Sequence, residues 1–308
     1  MFINRSLFVQ CTLVVFFLLY AANASSSSAY KNVGGYNEKV TEDILDIHML
    51  PHAHCDTGWI QTVQGYYDSY VHSILNTVVS SLYADKKLRF IWSEIKWLEM
   101  WWNNATEVQK KQLKFIVSTG QLEFVGAGWS QNDEVTTTWY DVIDNVNYGT
   151  EYLRKIGLQD LCPQKGRCVR VGWQIDMFAG YSGVTPSLWA MMGFDAMYMR
   201  WAGTSKMFKE WTDVKGFEFI WEGSSTKNIA SDASRGASNR IFAHIMKHNY
   251  GDMSGYIDPK TGLRLDWDDP NFKKVPVNNE NVEAYAKLVV EFAKNRTDIY
   301  QGPILTVW

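Results

Sequence analysis

Short apolar runs alternate along this chain with stretches of helical periodicity, and that alternation constrains its fold more than any other feature. Strand then helix, repeated, leaves few ways to bury every apolar face. The strand-like runs are Ile44 to Leu50, Arg89 to Trp92, Leu122 to Val125, Val169 to Ile175, Ala196 to Met199, Phe217 to Trp221 and Pro303 to Val307. Between the first two, Tyr70, Ile74, Val78 and Leu82 recur at about helical spacing within Tyr66 to Tyr83, and Glu107 to Val117, Tyr140 to Ile156 and Val282 to Ala293 also read as helices. The pattern predicts an α/β fold with a parallel sheet and helices outside it, either a barrel or an open sheet. In both, functional groups gather where strands end and loops begin.

The first strand ends in Pro51-His52-Ala53-His54-Cys55-Asp56-Thr57-Gly58-Trp59. His54 and Asp56 are two residues apart, so an extended backbone points both to one side, with His52 alongside and Cys55 facing the other way. Imidazole with carboxylate suits Zn²⁺ well and Ca²⁺ poorly. An ordinary hydrogen-bonded His–Asp pair is the plainer alternative. Two further acidic groups occupy equivalent places: Asp133-Glu134 follow the Leu122 strand through Gly126-Ala127-Gly128-Trp129, and Asp176 ends the Val169 strand. Asp133 has two readings, a pocket residue or the N-terminal acid of the helix that follows.

Composition bounds the function. Hydrophobic residues make up 46% of the chain and it holds 14 Trp, enough for a large core and compatible with stacking against pyranose faces. A net charge of −3 without a basic stripe argues against a nucleic-acid partner. Arg5, the apolar stretch Leu7 to Tyr20 and Ala22-Asn23-Ala24 form a secretory signal over residues 1–24, followed by a polar linker at 25–43 and an α/β domain from 44 to 308. No membrane span is expected in the mature chain. In an oxidising compartment Cys162 and Cys168 are placed to close a short disulfide loop, leaving Cys55 as a buried free thiol. Asn104-Ala105-Thr106 and Asn295-Arg296-Thr297 are glycosylation sequons. Gly251 to Asn279 reads as a long loop region suited to an active-site rim.

In order along the chain, the PHAHCDTGW segment, Gly128-Trp129 with Asp133-Glu134, and Gly172-Trp173-Gln174-Ile175-Asp176 resemble the N-terminal catalytic domain of the class II α-mannosidases, glycoside hydrolase family 38. Their lysosomal and epididymis-specific branch is the nearest likeness. Phe90 to Trp102, Leu122-Glu123-Phe124, Ser187-Leu188-Trp189 with Met192-Gly193-Phe194-Asp195, and Ile241 to Met246 support it. The resemblance implies a (β/α)7-type barrel of parallel strands and a zinc-dependent retaining exo-glycosidase that removes α-linked mannose from N-glycan-derived oligosaccharides. It implies zinc ligation by His54, Asp56 and Asp176, with Asp176 also the nucleophile, a mannose site lined by Trp59 and Phe178, and pairing of Arg200 with Asp176. Asp133 joins these as a substrate-binding residue. Lysosomal or extracellular destination follows from the same likeness.

The sequence departs from the family in two places. After the nucleophile the family usually reads Asp-Pro-Phe-Gly-(His or Ala)-Ser, whereas here Asp176 is followed by Met177-Phe178-Ala179-Gly180-Tyr181-Ser182. Loss of proline frees φ and restores an N–H, so this loop is expected to be less preorganised. Pro303 to Trp308 resembles the strand that runs into the family's Gly-x-Asp acid/base, so that residue and a later zinc His are expected beyond Trp308, with the domain incomplete on that side. Two rival functions stand beside the main one. One is a non-catalytic mannose-binding protein; the other is an amidohydrolase-type metal hydrolase using His52 and His54, for which His48, His72, His244 and His248 lie mostly in helical or loop settings.

Overall fold

The computed structural model describes residues 46–163, 167–177, 180–223, 240–246, 278–294, 299–300 and 304–307. In chain order the strands are β1 (Asp46–Met49), β2 (Phe90–Trp92), β3 (Leu122–Phe124), β4 (Val171–Gln174), β5 (Ala196–Arg200), β6 (Glu218–Glu222), β7 (Arg240–Met246) and β8 (Ile304–Val307). The helices are α1 (Val63–Tyr66), running through a π turn at Tyr67–Val71 into α2 (His72–Ala84), then α3 (Ile95–Asn104), α4 (Glu107–Ser118), α5 (Trp139–Lys155), α6 (Thr185–Met191), α7 (Ser205–Asp213) and α8 (Val282–Lys294). The chain divides into two units, one within residues 51–250 and the other from the segments on either side. In the flanking unit β1 pairs in parallel with β8, and α8 buries Leu288, Val289 and Phe292.

Within residues 51–250 the pairings follow the predicted parallel logic. His52 bridges Ile91 of β2, β2 pairs with β3, Phe124 bridges Val169 ahead of β4, and β4 pairs with β5, all in parallel. Beyond β5 the order is β7 and then β6. The β6–β7 pair is antiparallel, which corrects the expectation of a wholly parallel sheet. As an edge strand with no fully buried residue, β6 needs no helix covering both faces, and an antiparallel edge on a parallel sheet meets that condition. Among the described residues the strands form three separate sheets rather than a closed barrel.

Local chemistry explains the elements. Thr106 with Gln109 and Thr138 with Asp141 form capping boxes at α4 and α5, and Arg154 and Lys155 complement the C-terminal dipole of α5. The acid at the start of α5 is therefore Asp141, not Asp133. After β3, Gly126 (φ 64°) and Ala127 (φ 48°) take left-handed conformations that throw the chain sharply outward. Carbonyls of that loop receive the first N–H groups of α3: Ile95 donates to Gly128 and Lys96 to Trp129, each at 3.0 Å. Gly149 of α5 lies so close to this loop that a Cβ would overlap the Ala127 carbonyl oxygen.

Four elements were not anticipated from periodicity: α3, α6, α7 and β7. In α3 the buried face is Ile95, Trp97, Leu98 and Trp101, so much of its apolar signal is carried by indoles of modest helix propensity. In β7 residues Ala243 to Met246 are all buried, and a run without alternation carries no period-2 signature. His244 accordingly sits in a strand and not in a helix or loop, while His48 lies in β1 and His72 begins α2. His248 and most of the Gly251–Asn279 stretch lie outside the described residues. Abundant Trp divides by role, with Trp92, Trp97, Trp101 and Trp189 in the core and Trp59 and Trp139 exposed.

Candidate functional site

Parallel strands deliver their C-terminal ends to one edge, and the chemistry emerges there. His54 and Asp56 follow the His52 bridge, Glu94 follows β2, Asp176 follows β4 and Arg200 ends β5. His54 Nε2 lies 3.4 Å from Asp56 Oδ1 and 3.3 Å from Asp176 Oδ2, and its side chain is 9% exposed. Arg200 Nη1 lies 3.7 Å from Asp176 Oδ1. Among the described residues, His54, Asp56 and Asp176 form the one group of three or more His, Cys, Asp or Glu whose ligand atoms all fall within 4.8 Å of one another.

These distances are compatible with zinc. Zinc bonds of about 2.0–2.1 Å at tetrahedral angles set neighbouring donors about 3.3 Å apart, which matches both separations from His54 Nε2. One imidazole and two carboxylates form a mixed N/O donor set of the kind catalytic zinc uses, whereas Ca²⁺ calls for six to eight oxygens. The buried Asp176 Oδ1 makes no hydrogen bond, leaving that carboxylate short of donors. The residues present therefore fit zinc.

Electrostatics ties the three together. Burial opposes charge on His54, but hydrogen bonding to Asp56 and the fields of Glu94, Asp56 and Asp176 outweigh it and raise its pKa. Asp56 is held below the usual carboxylate range by its hydrogen bond to His54. Asp176 is raised, chiefly by burial and also by Asp56, with His54 and Arg200 pulling the other way. Burial pushes the Glu94 carboxyl up to about 7 against the opposing pull of His54, and it pushes the Cys55 thiol far above its ordinary value. A thiol so held is a poor metal ligand, and Cys55 is a free cysteine, half-buried rather than fully buried as expected.

The remaining residues named from sequence fall in different places. His52 packs edge-on against Trp173, ring centroids 5.2 Å apart, and is not a member of the three-residue group. Trp59 is 75% exposed beside Gly58 (φ 102°), which excludes a core role. The Asp133 carboxylate accepts from the N–H groups of Val135 and Thr136 at 2.6 and 2.8 Å, which hold its pKa low. Asp133 is exposed, engaged in that turn and not a member of the three-residue group. Phe178 and Asn295 lie outside the described residues. Asn104 is exposed at the end of α3, and Cys162 and Cys168 are joined with Cα atoms 5.2 Å apart.

Sequence reasoning missed the supports behind the site. Tyr181 Oη approaches the carbonyl oxygens of Gln174 and Arg200 at 3.0 and 2.8 Å, linking the ends of β4 and β5. Glu134 accepts from Thr185 Oγ1 at 2.8 Å and Ser182 N at 3.3 Å, fixing the segment that leads into α6. His244 is structural: 1% exposed in β7, its Nδ1 is 2.9 Å from Glu218 Oε1 of β6 and its ring lies 4.8 Å from Tyr198 of β5. Glu94 had a legible signal, since it follows a buried strand by two residues, much as Asp176 does.

Residues 44–307 match the glycosyl hydrolases family 38 N-terminal domain. Alpha-mannosidase B of Dictyostelium discoideum is 30% identical over 94% of this chain and 28% of its own length. Lysosomal alpha-mannosidase of Bos taurus is 38% identical over 60% of this chain and 18% of its own. An alpha-mannosidase crystal structure from Enterococcus faecalis superposes with a TM-score of 0.61 at 15% identity, over 86% of this chain and 24% of that one. The chain thus spans less than a third of each of these relatives. No helix among the described residues is long and apolar enough to cross a membrane. With its mixed α/β domain and its match over residues 44–307, the chain belongs to glycosyl hydrolase family 38, through that family's N-terminal domain.

Proposed function

We propose that this domain forms the zinc-bearing part of a retaining α-mannosidase site acting on mannose-containing oligosaccharides derived from N-glycans. The observation that carries this reading is the donor spacing at His54 Nε2, 3.4 Å to Asp56 and 3.3 Å to Asp176, in a chain whose relatives are named alpha-mannosidases. His54, Asp56 and Asp176 would hold the zinc ion, which would supply Lewis acidity toward sugar hydroxyls. Asp176 attacks the anomeric carbon as the glycosidic C–O bond breaks and a general acid protonates the departing oxygen; water then cleaves the resulting glycosyl ester. Arg200 favours the ionised Asp176 that this attack requires. Trp59 offers an exposed indole to the pyranose C–H face, and family likeness assigns Phe178 to the same mannose site.

The finer architecture belongs to the same proposal: the parallel ladders of residues 51–250 are part of a (β/α)7 barrel. The signal-like residues 1–24, the sequons at Asn104 and Asn295 and the Cys162–Cys168 bond support passage through the secretory pathway to a lysosomal or extracellular destination. The test is hydrolysis of an aryl α-mannoside by the protein carrying this domain, with Asp176→Asn as control. Zinc-dependent turnover that Asp176→Asn abolishes is the expected result. Mannose binding without turnover would replace the enzyme reading with a non-catalytic binding one.

A further inference from the structure

The three-residue group occupies the Nε2 side of the His54 ring. On the Nδ1 side stands Glu94, whose Oε1 lies 4.0 Å from His54 Nδ1. Glu94 is 1% exposed, and neither of its carboxylate oxygens meets a hydrogen-bond partner from another residue among the described residues. A buried acid in that condition is costly and calls for an explanation. Capping does not supply one. Glu94 is the N-cap residue of α3 but makes no side-chain cap bond, and Gly128 and Trp129 already receive the first N–H groups of that helix. Local packing also fixes its backbone, because the Trp92 indole donates to the Glu94 carbonyl at 2.9 Å. Its backbone is thus anchored, with the carboxylate on the Nδ1 side of the imidazole.

We infer that Glu94 is a positioning residue for the metal-binding imidazole. Its carboxylate accepts the Nδ1–H of His54 and so fixes the tautomer whose Nε2 lone pair points toward Asp56 and Asp176. A neutral histidine carries one ring proton, and a ligating nitrogen must be the one without it. A carboxylate behind the ring holds that proton in place, orients the ring and makes the ligating nitrogen more basic. Closing 4.0 Å to a hydrogen bond needs a shift of about 1 Å. This inference rests on the zinc reading given above.

The test measures Zn²⁺ affinity of the full chain by chelator competition for the unaltered protein, Glu94→Gln and Glu94→Leu, beside the melting temperature of each metal-free form. Glu94→Gln keeps the volume and one acceptor oxygen; Glu94→Leu removes both acceptors. Affinity is expected to fall about 10-fold in Glu94→Gln and about 100-fold in Glu94→Leu, with no matching fall in metal-free melting temperature. Histidine ¹⁵N shifts should report the Nδ1–H tautomer of zinc-bound His54 in the unaltered protein and its loss of definition in Glu94→Leu. Equal affinities in the unaltered protein and Glu94→Gln, with the tautomer unchanged in either variant, would overturn the inference and leave the zinc site standing. So would affinity losses that merely track a lowered melting temperature. If the unaltered chain binds no zinc, the zinc reading fails, and this inference fails with it.

Discussion

His54 Nε2 stands 3.3 Å from Asp176 Oδ2, although the two side chains emerge from different strand ends. On the function proposed above Asp176 has two roles, ligand and nucleophile, whereas Asp56 has the first alone. Their substitutions should therefore differ in kind. Asp56→Asn is expected to weaken zinc binding and to recover much of its turnover at saturating zinc. Asp176→Asn should lose turnover on the order of 10⁴-fold or more at any zinc concentration. Steady-state kinetics across a zinc titration checks both, and recovery of Asp176→Asn by zinc would remove the nucleophile assignment.

Tyr181 ties the ends of β4 and β5 together. A phenol has one proton to donate, so the Gln174 and Arg200 carbonyls share it. Tyr181→Phe leaves both carbonyls without that donor while keeping the ring packing against Trp221. The expected cost is about 1–2 kcal/mol of stability, measured by denaturant unfolding. Because β4 ends at Gln174 and β5 at Arg200, turnover should fall further than stability alone predicts. An unchanged turnover would show that the Met177-containing loop does not rely on this tie.

Gly149→Ala tests how the loop after β3 is seated. Its Cβ would meet the Ala127 carbonyl, a backbone atom that cannot rotate away, so α5 and the loop must separate. Asn145 holds the same loop from α5 by exchanging hydrogen bonds with Ser130. Destabilisation of about 1–3 kcal/mol is expected from thermal or denaturant unfolding. Asn132, further along, accepts from Gln174 Nε2 at 2.9 Å, so the strain reaches the strand that carries Asp176.

Asp195 supplies a pH-dependent prediction away from the site. Burial works against its ionised form, but Arg167 and Arg170 outweigh burial and hold its pKa below the usual value. A carboxylate with a depressed folded-state pKa stabilises above its unfolded pKa, near 3.9, and that contribution disappears as pH falls through the lower folded value. Solvent screening keeps its size on the order of 0.5–1 kcal/mol. Asp195→Asn should lower the melting temperature slightly at pH 7 and make no difference once pH is well below the folded value. A difference that grows on acidification would contradict this.

Strand order and metal chemistry differ in how far they could be read from sequence. Runs such as Phe90–Trp92 and Leu122–Phe124 declared themselves by composition, and His54, Asp56 and Asp176 by following strands. β7 was silent because its second half, Ala243 to Met246, is buried without alternation, and α3 because its buried face is half tryptophan. The flanking unit joins β1 to β8 across most of the sequence, a pairing that no local window contains. Glu94 and Tyr181 were missed for another reason. Their importance lies in what stands opposite them, an imidazole nitrogen in one case and two carbonyls in the other, and position after a strand does not by itself reveal either partner.

Zinc content of the purified chain tests the central claim most directly, measured by elemental analysis for the unaltered protein, His54→Ala, Asp56→Ala and His52→Ala. One zinc per chain in the unaltered protein and in His52→Ala, with loss in His54→Ala and Asp56→Ala, is the predicted result. Zinc that survives Asp56→Ala but is lost in His52→Ala would contradict the account and favour the two-histidine hydrolase arrangement.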